Sequence, residues 1–400
     1  MRARKRTLCA WILLLFLVCP IVAQAAEVQA AKTQSVVSQE TEAQSQEEIT
    51  EELIGELELD ELDRFIETQE SETALDLSFS ELFRKLLSGD LEYDSSAVWA
   101  WIVDHCFSVV RQNQIYLAQM LVLLIAFAML QGISGVFSDA FLSDISFLAV
   151  YFLFLYNALR IFASMQQIVY HCMERIAEFT LLIQPVFCMA MFFSSGINSA
   201  SLTYEMTLLV LYLIQTILQK VLLPIVFVFL VTQFANFAWK EERLSGIGKL
   251  LEGGTLFTQK LLVTLILGMN LIQGMVAPAV DQLKKTATVR TIGIIPGLGG
   301  AMNAVSEMLL GTGLLIKNCV GATVIVILIL MCAKPLLEIG MLALIYRVLA
   351  ALAEPVTDKR ISGVLDALAR AGMLYARLVV TAILMLFLSV AVVCVATGAR

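Results

Sequence analysis

From about Ile115 to Thr397 the chain alternates long apolar stretches with short polar breaks. Met120 to Leu130, Ala149 to Leu155, Leu222 to Val231, Leu261 to Leu267 and Ala322 to Met331 are examples. A bilayer core is about 30 Å thick, and a helix needs about 20 mostly apolar residues to cross it. The pattern predicts membrane segments near 115–137, 145–164, 176–196, 203–219, 221–238, 261–280, 317–333, 335–353 and 374–397. Two of the separations are weak. Gln219-Lys220 and Pro224 interrupt 203–238, and Lys334-Pro335 interrupts 317–353, so each is one bent helix or two. The expected fold class is all-α, a polytopic integral membrane helical bundle of about seven to nine segments, one of them a candidate re-entrant element.

Ahead of that block the periodicity changes. Residues 26–48 are rich in Gln, Ser, Thr, Glu and Ala and hold too little apolar surface to offset ordering entropy. Ile49, Leu53, Ile54, Leu57, Leu62, Phe65 and Ile66 then recur at helical spacing between acids, which predicts an amphipathic helix whose acidic face suits a protein partner. Ser78-x-x-Glu81 is a capping-box pattern opening a stripe of Phe79, Leu82, Phe83, Leu86 and Leu87, and Gly89 is a natural stop. A second amphipathic stretch from Ser96 carries Trp99 and Trp101, candidate residues of a membrane-interface helix or of packing on the bundle. The expected divisions are 1–25 signal peptide, 26–77 acidic extracytoplasmic segment, 78–114 interfacial helices and 115–400 membrane domain.

Composition supports that reading. Hydrophobic residues make up 59% of the chain, against roughly 45–50% in a soluble domain. The net charge of −8 is local: residues 27–95 hold 20 acids and 4 bases, whereas residues 96–400 hold 15 acids and 19 bases. Arg2, Arg4, Lys5 and Arg6, the apolar core Trp11 to Val18 and Ala23-Gln24-Ala25 read as a secretory signal, which would place the following segment outside the cytoplasm. Lys and Arg favour cytoplasmic loops, which points to 239–260 and 354–372. The basic run 281–291 conflicts with them if a single crossing separates it from 239–260.

No enzyme pattern is present: neither GxxxxGK[ST] nor HExxH occurs. His105 and His171 each precede a cysteine, but that spacing is not one of metal ligation, and no Cys pair has CxxC spacing. No cofactor, metal or catalytic residue is expected. The block Ile292 to Asn318 carries Gly293, Pro296, Gly297, Gly299, Gly300, Gly311 and Gly313. Such density breaks helices, so these residues are candidates for a pore-lining or re-entrant element, or for a loop and helix packed on the bundle. Ionisable groups in apolar runs are costly and often functional. Arg160, Lys220, Lys334, Glu338 and Arg347 qualify, and Lys334 and Glu338 share a helix face on which they can neutralise each other. Asn157, Gln184, Asn270 and Gln273 are candidate interhelical hydrogen-bond partners.

The order of signal, acidic segment, amphipathic helices (Leu77 to Gln112) and polytopic domain, with the block Ile292 to Asn318, Lys334-Pro335-Leu336-Leu337 and Glu354-Pro355-Val356-Thr357-Asp358-Lys359-Arg360, resembles the stage III sporulation protein AE family of endospore formers. The resemblance covers roughly 77–400. It implies a multi-pass subunit of a channel complex, in the mother-cell membrane around the forespore, that sustains late forespore gene expression. It also implies partners: the bilayer, other membrane proteins of the stage III sporulation A operon, a cytosolic ATPase and a forespore ring protein, in an oligomeric assembly without nucleic acid. The residues alone leave open a stand-alone secondary transporter, with its site at Lys334, Glu338 and the Gly-rich block, or a membrane scaffold. No convincing internal repeat favours the transporter.

Overall fold

A computed structural model describes residues 59–69, 78–88, 95–134, 140–195, 197–238, 244–292, 299–355 and 357–398. The signal, the acidic residues up to 58 and the sites Gly293, Pro296 and Gly297 lie outside them. The elements are α1 (Asp60–Gln69), α2 (Phe79–Ser88), α3 (Ser95–Gln112), α4 (Gln114–Ser134), α5 (Ala140–Ser195), α6 (Ile197–Ile217), a π-turn (Leu218–Leu222), α7 (Leu223–Ala238), α8 (Ser245–Ile292), α9 (Gly299–Ala353) and α10 (Lys359–Gly398). All are helical, as the apolar windows predict.

Among the described residues, five helices are long and apolar enough to cross a membrane: Leu148–Ala190, Leu209–Ala238, Ser245–Met269, Gly311–Ala353 and Lys359–Ala391. A sixth is the bent pair Val98–Gln112 and Gln114–Met129, which meet at 55°. Several of the expected breaks are continuous helix. α5 carries 145–164 and 176–196 on one helix, α9 runs through Pro335, and α6 passes into α7 through the π-turn. Pro224 has no N–H to donate to the carbonyl of Lys220, and the wider turn falls at that place. Residues 299–316 are helical and continue directly into the α9 span. Among the described residues the bent pair is α3–α4, and residues 299–318 of the Gly-rich block are helical.

α10 is central. It packs against α5, α7, α8 and α9, and its residues Val364 to Ala369 are almost all buried. The directions of the helices follow from pairs of contacts. The Tyr151 hydroxyl of α5 donates to the Phe234 carbonyl of α7 at 2.8 Å. Phe162 stacks on Tyr375 of α10 with centroids 4.9 Å apart and meets Phe227 of α7 at 6.1 Å. Gln215 of α6 donates to the Thr180 hydroxyl at 3.3 Å. As α5 ascends, its partners on α6–α7 descend, so the two are antiparallel. α8, α9 and α10 continue the up-and-down order. The α7–α8 and α9–α10 connections therefore share one end, called here the loop end. Asn236 accepts the Leu244 N–H there at 2.8 Å, and Glu252 approaches Arg370 at 3.9 Å.

Close helix crossings near this end depend on missing side chains. A Cβ on Gly363 would lie 2.5–2.9 Å from the Phe237 ring. A Cβ on Gly372 would lie 2.7 Å from the Met165 methyl and 3.1 Å from the Ala343 Cβ. A ring cannot swing aside as a methionine tip can. Gly363→Val should therefore destabilise the bundle by about 1–3 kcal/mol, the usual penalty of overpacking. The thermal midpoint of detergent-solubilised protein measures it. Gly253→Val, where nothing lies within 4 Å, is the control expected to leave that midpoint near wild type.

Candidate functional site

At 1.5 Å per residue, the 56 residues of α5 and 55 of α9 make rods about 84 and 82 Å long. Each is more than twice the thickness of a bilayer core. Both have a polar break at half height. On α5 the outward side chains His171, Glu174 and Glu178 are exposed or half-exposed, whereas Val169, Cys172, Met173 and Ile176 are buried between them. His171 Nδ1 lies 3.6 Å from Glu174 Oε2. This is the 3.6-residue alternation of an amphipathic helix, which is why the polar stretch does not interrupt α5.

The other helices bring charge to the same level. Lys220, exposed on the π-turn, sits five residues beyond Gln215, which bonds Thr180. On α9 Cys332 is buried, as Cys172 is on α5. Two residues further along, Lys334 lies against His105 of α3. The His105 ring is stacked on Trp101, with centroids 5.4 Å apart and planes 6° apart. Glu338 follows one turn on and is half-buried. His105, Arg175, Lys220, Lys334 and the outward acids of α5 thus form a charged belt around the middle of an otherwise apolar bundle.

Other residues singled out from the sequence are dispersed. Arg160 is exposed on α5, its guanidinium 5.3 Å from the centre of the Tyr116 ring of α4. That cation–π contact accounts for a charge on an apolar face. Arg347 reaches the Met373 sulfur at 3.8 Å. Gly299 and Gly300 open α9, Gly311 faces open space and Gly313 is buried. Asn270 lies on α8, where only its helical backbone is described. Trp99 is 63% exposed, on the outer face of α3 with Val98, Val103 and Phe107. Trp101 instead turns inward to His105, so the two tryptophans serve different surfaces.

Lys317 was not among the candidates, yet it is the most buried charge described, at 0% exposure. Gly313 and Gly321 lie one turn on either side of it on the same face, and both are buried. A lysine amid Leu314, Leu315, Ile316, Cys319 and Val320 is a recognisable signal. It had been masked by the expectation of a loop.

Among the described residues no cluster of three or more His, Cys, Asp or Glu could hold a metal ion. The amphipathic helices cover the bundle. Ser78 Oγ accepts the Glu81 N–H at 3.2 Å, as the capping box predicts. Asp63 of α1 accepts from the Ser80 N–H at 3.0 Å and from its hydroxyl, tying α1 to α2. The apolar face of α1 is not left for a partner. Leu62 and Ile66 are buried, and Phe65 stacks on Phe179 of α5 at 6.1 Å.

The family model for stage III sporulation protein AE matches residues 77–397. The chain belongs to this family. Its match begins two residues before α2 and ends one residue before α10 does, so the whole described membrane bundle is the family unit. α1 precedes that unit, although it packs on α5. Stage III sporulation protein AE of Bacillus subtilis (strain 168) is 25% identical over 311 residues, which covers 77% of this chain and 78% of that protein. No solved structure matches. The family assignment and the five apolar helices together make this a sporulation protein built for a membrane, and neither name describes an enzyme.

Proposed function

We propose that the chain is a non-enzymatic, multi-pass subunit of the channel complex between mother cell and forespore, resident in the mother-cell membrane around the forespore and needed for late forespore gene expression. The family match across the entire bundle is the observation that carries this reading. The basic connections at the loop end face the mother-cell cytosol in this reading, following the positive-inside rule. The cytosolic ATPase would approach there. The opposite half, capped by α1 and α2, then faces the intermembrane space, where ring proteins would dock. Its charged belt lies near the outer lipid surface, because only about 20 residues of each rod fit within the hydrocarbon.

The bundle's centre bears on how it would conduct. Phe154, Phe162, Phe179, Tyr346 and Tyr375 are fully buried and fill it. A path would accordingly run between copies or between this chain and its partners, not through one bundle. The test is mild-detergent purification of tagged protein from sporulating cells, beside a deletion strain scored for late forespore expression. Copurification of ring components and the ATPase, with loss of late expression in the deletion strain, is expected. Purification alone, with late expression intact, would favour the stand-alone transporter.

A further inference from the structure

We propose that the outward face of α5 lines a water-filled path enclosed by copies of this chain, which deepens the channel-subunit reading and rests on it. Ser164, Gln167, His171, Glu174 and Glu178 follow one another at alternating steps of three and four residues, and all are exposed or half-exposed. That spacing keeps side chains on one helix face. Met165, Val169, Cys172, Met173 and Ile176 lie between them and are buried, so the polar line points away from the bundle. Arg160 stands one turn before Ser164 on the same line, against the Tyr116 ring of α4. Beyond its two ends the line turns apolar, with exposed Leu153 and Tyr156 on one side and Leu181 on the other. At 1.5 Å per residue the polar stretch from Arg160 to Glu178 is about 27 Å long, close to the roughly 30 Å of a hydrocarbon core.

Depth decides what such a face can meet. The Tyr151 hydroxyl bonds the Phe234 carbonyl, and Phe162 meets Phe227. Residues 151–168 of α5 therefore run level with 221–234 of α7. The outward side chains of α7 at that level are Val221, Phe227, Val228 and Val231, all apolar and exposed. On α8 the outward face carries Phe257, Leu261 and Leu265. Both faces suit acyl chains. Ser164 and Gln167 stand at the same depth as Val221 and Phe227, yet they present polar groups that acyl chains cannot satisfy. Polar and ionisable side chains at membrane depth face protein or water, and the interior of this bundle lies on the opposite side of α5. The stripe therefore faces water held in place by more protein.

Further copies of the chain fit that wall. Alternating steps of three and four are the spacing at which the helices of an assembly face a common axis. Copies in one membrane share one orientation, so cyclic assembly stacks identical side chains in rings. Rings of Glu174 and Glu178 repel in dry contact and are tolerated across water. They fall at the end of the stripe away from the loop end and give the path an acidic mouth, a lining that favours cations.

The experiment uses the full chain, in membranes of sporulating cells and reconstituted alone. Ser164→Cys, Gln167→Cys and Glu178→Cys are compared with Val228→Cys and Val231→Cys, each first shown to melt at the wild-type midpoint. Membrane-impermeant methanethiosulfonates should modify the Ser164→Cys and Gln167→Cys thiols about tenfold faster than the two on α7, since apolar surroundings keep a thiol protonated and unreactive. Glu178→Cys should react faster with a cationic reagent than with an anionic one. A bifunctional maleimide should link Gln167→Cys, and not Val228→Cys, into dimers and larger multimers. Folded protein whose α5 thiols react as slowly as those on α7 would overturn the proposal. Fast labelling without Gln167→Cys cross-links would overturn it too, by placing another protein across the path. If the α5 thiols are unreactive while ring components copurify, the path fails and the channel-subunit reading stands. If they are reactive and cross-linked in protein that copurifies with nothing, the path stands and the channel-complex reading fails.

Discussion

Phe162→Ala should be among the most destabilising single substitutions in this bundle, by about 3 kcal/mol. Truncating a buried phenylalanine costs about 3–5 kcal/mol in soluble cores. Part of that is transfer of apolar surface from water, and lipid-embedded helices that separate do not face water. What remains is lost packing, since the cavity lining keeps no partner atoms on one side. Phe162 is fully buried, stacks on Tyr375 at 4.9 Å with planes 14° apart, and meets Phe227 at 6.1 Å. It thus joins α5, α7 and α10 at one point, and offset aromatic pairs add about 0.5–1.5 kcal/mol beyond area. The low end of the soluble range follows. Unfolding of purified protein in mixed micelles titrated with SDS gives the free energy. Phe152→Ala, on the exposed face one helix position away from Tyr151 (Phe152 is 59% exposed), should change it by only a few tenths of a kcal/mol. Equal losses at both positions would mean that lipid contact, not the aromatic junction, holds the helices together.

Much of this architecture was legible in the apolar pattern, because a bilayer leaves helices as nearly the only solution for such segments. The capping box at Ser78 and the inward face of α1 were equally readable, from residue types whose chemistry acts locally. The continuity of the long helices was not. Separating 145–164 from 176–196 treated the stretch with His171 and Glu174 as a break, whereas these occupy the outer side of a helix whose inner side is buried. Hydropathy averaged over a window discards the angle at which each charge points. Glycine density, too, leaves the outcome to the surroundings. In an exposed helix glycine costs about 1 kcal/mol relative to alanine, yet Gly313 and Gly321 are buried in a helix that its neighbours hold in place. The belt could not be anticipated, since His105, Cys172, Lys220 and Lys334 are far apart in sequence and meet only through the antiparallel order of the long helices. The family resemblance supplied the biological role, which neither periodicity nor packing contains.

Lys317→Met is the substitution with the largest expected effect on function. A charge buried within protein is expensive, and removing one member of a buried pair strands the other. Replacement by an apolar residue of similar length removes the desolvation cost instead, and such swaps are often neutral or stabilising. A lysine kept only for packing would therefore be replaced silently by methionine. Lys317 is wholly enclosed, flanked on its own face by Gly313 and Gly321, and sits near the C-terminal end of the Gly-rich block. The expected result is a protein at normal abundance, at least as stable to SDS as wild type, in cells whose yield of heat-resistant spores falls to that of the deletion strain. Lys317→Arg, which keeps the charge but needs more room, should fall between. Full spore yield from Lys317→Met would reduce the lysine to filler. Loss of the protein itself would show that its buried contact holds α9 in the bundle, and the functional role would then pass to the belt residues around Lys334.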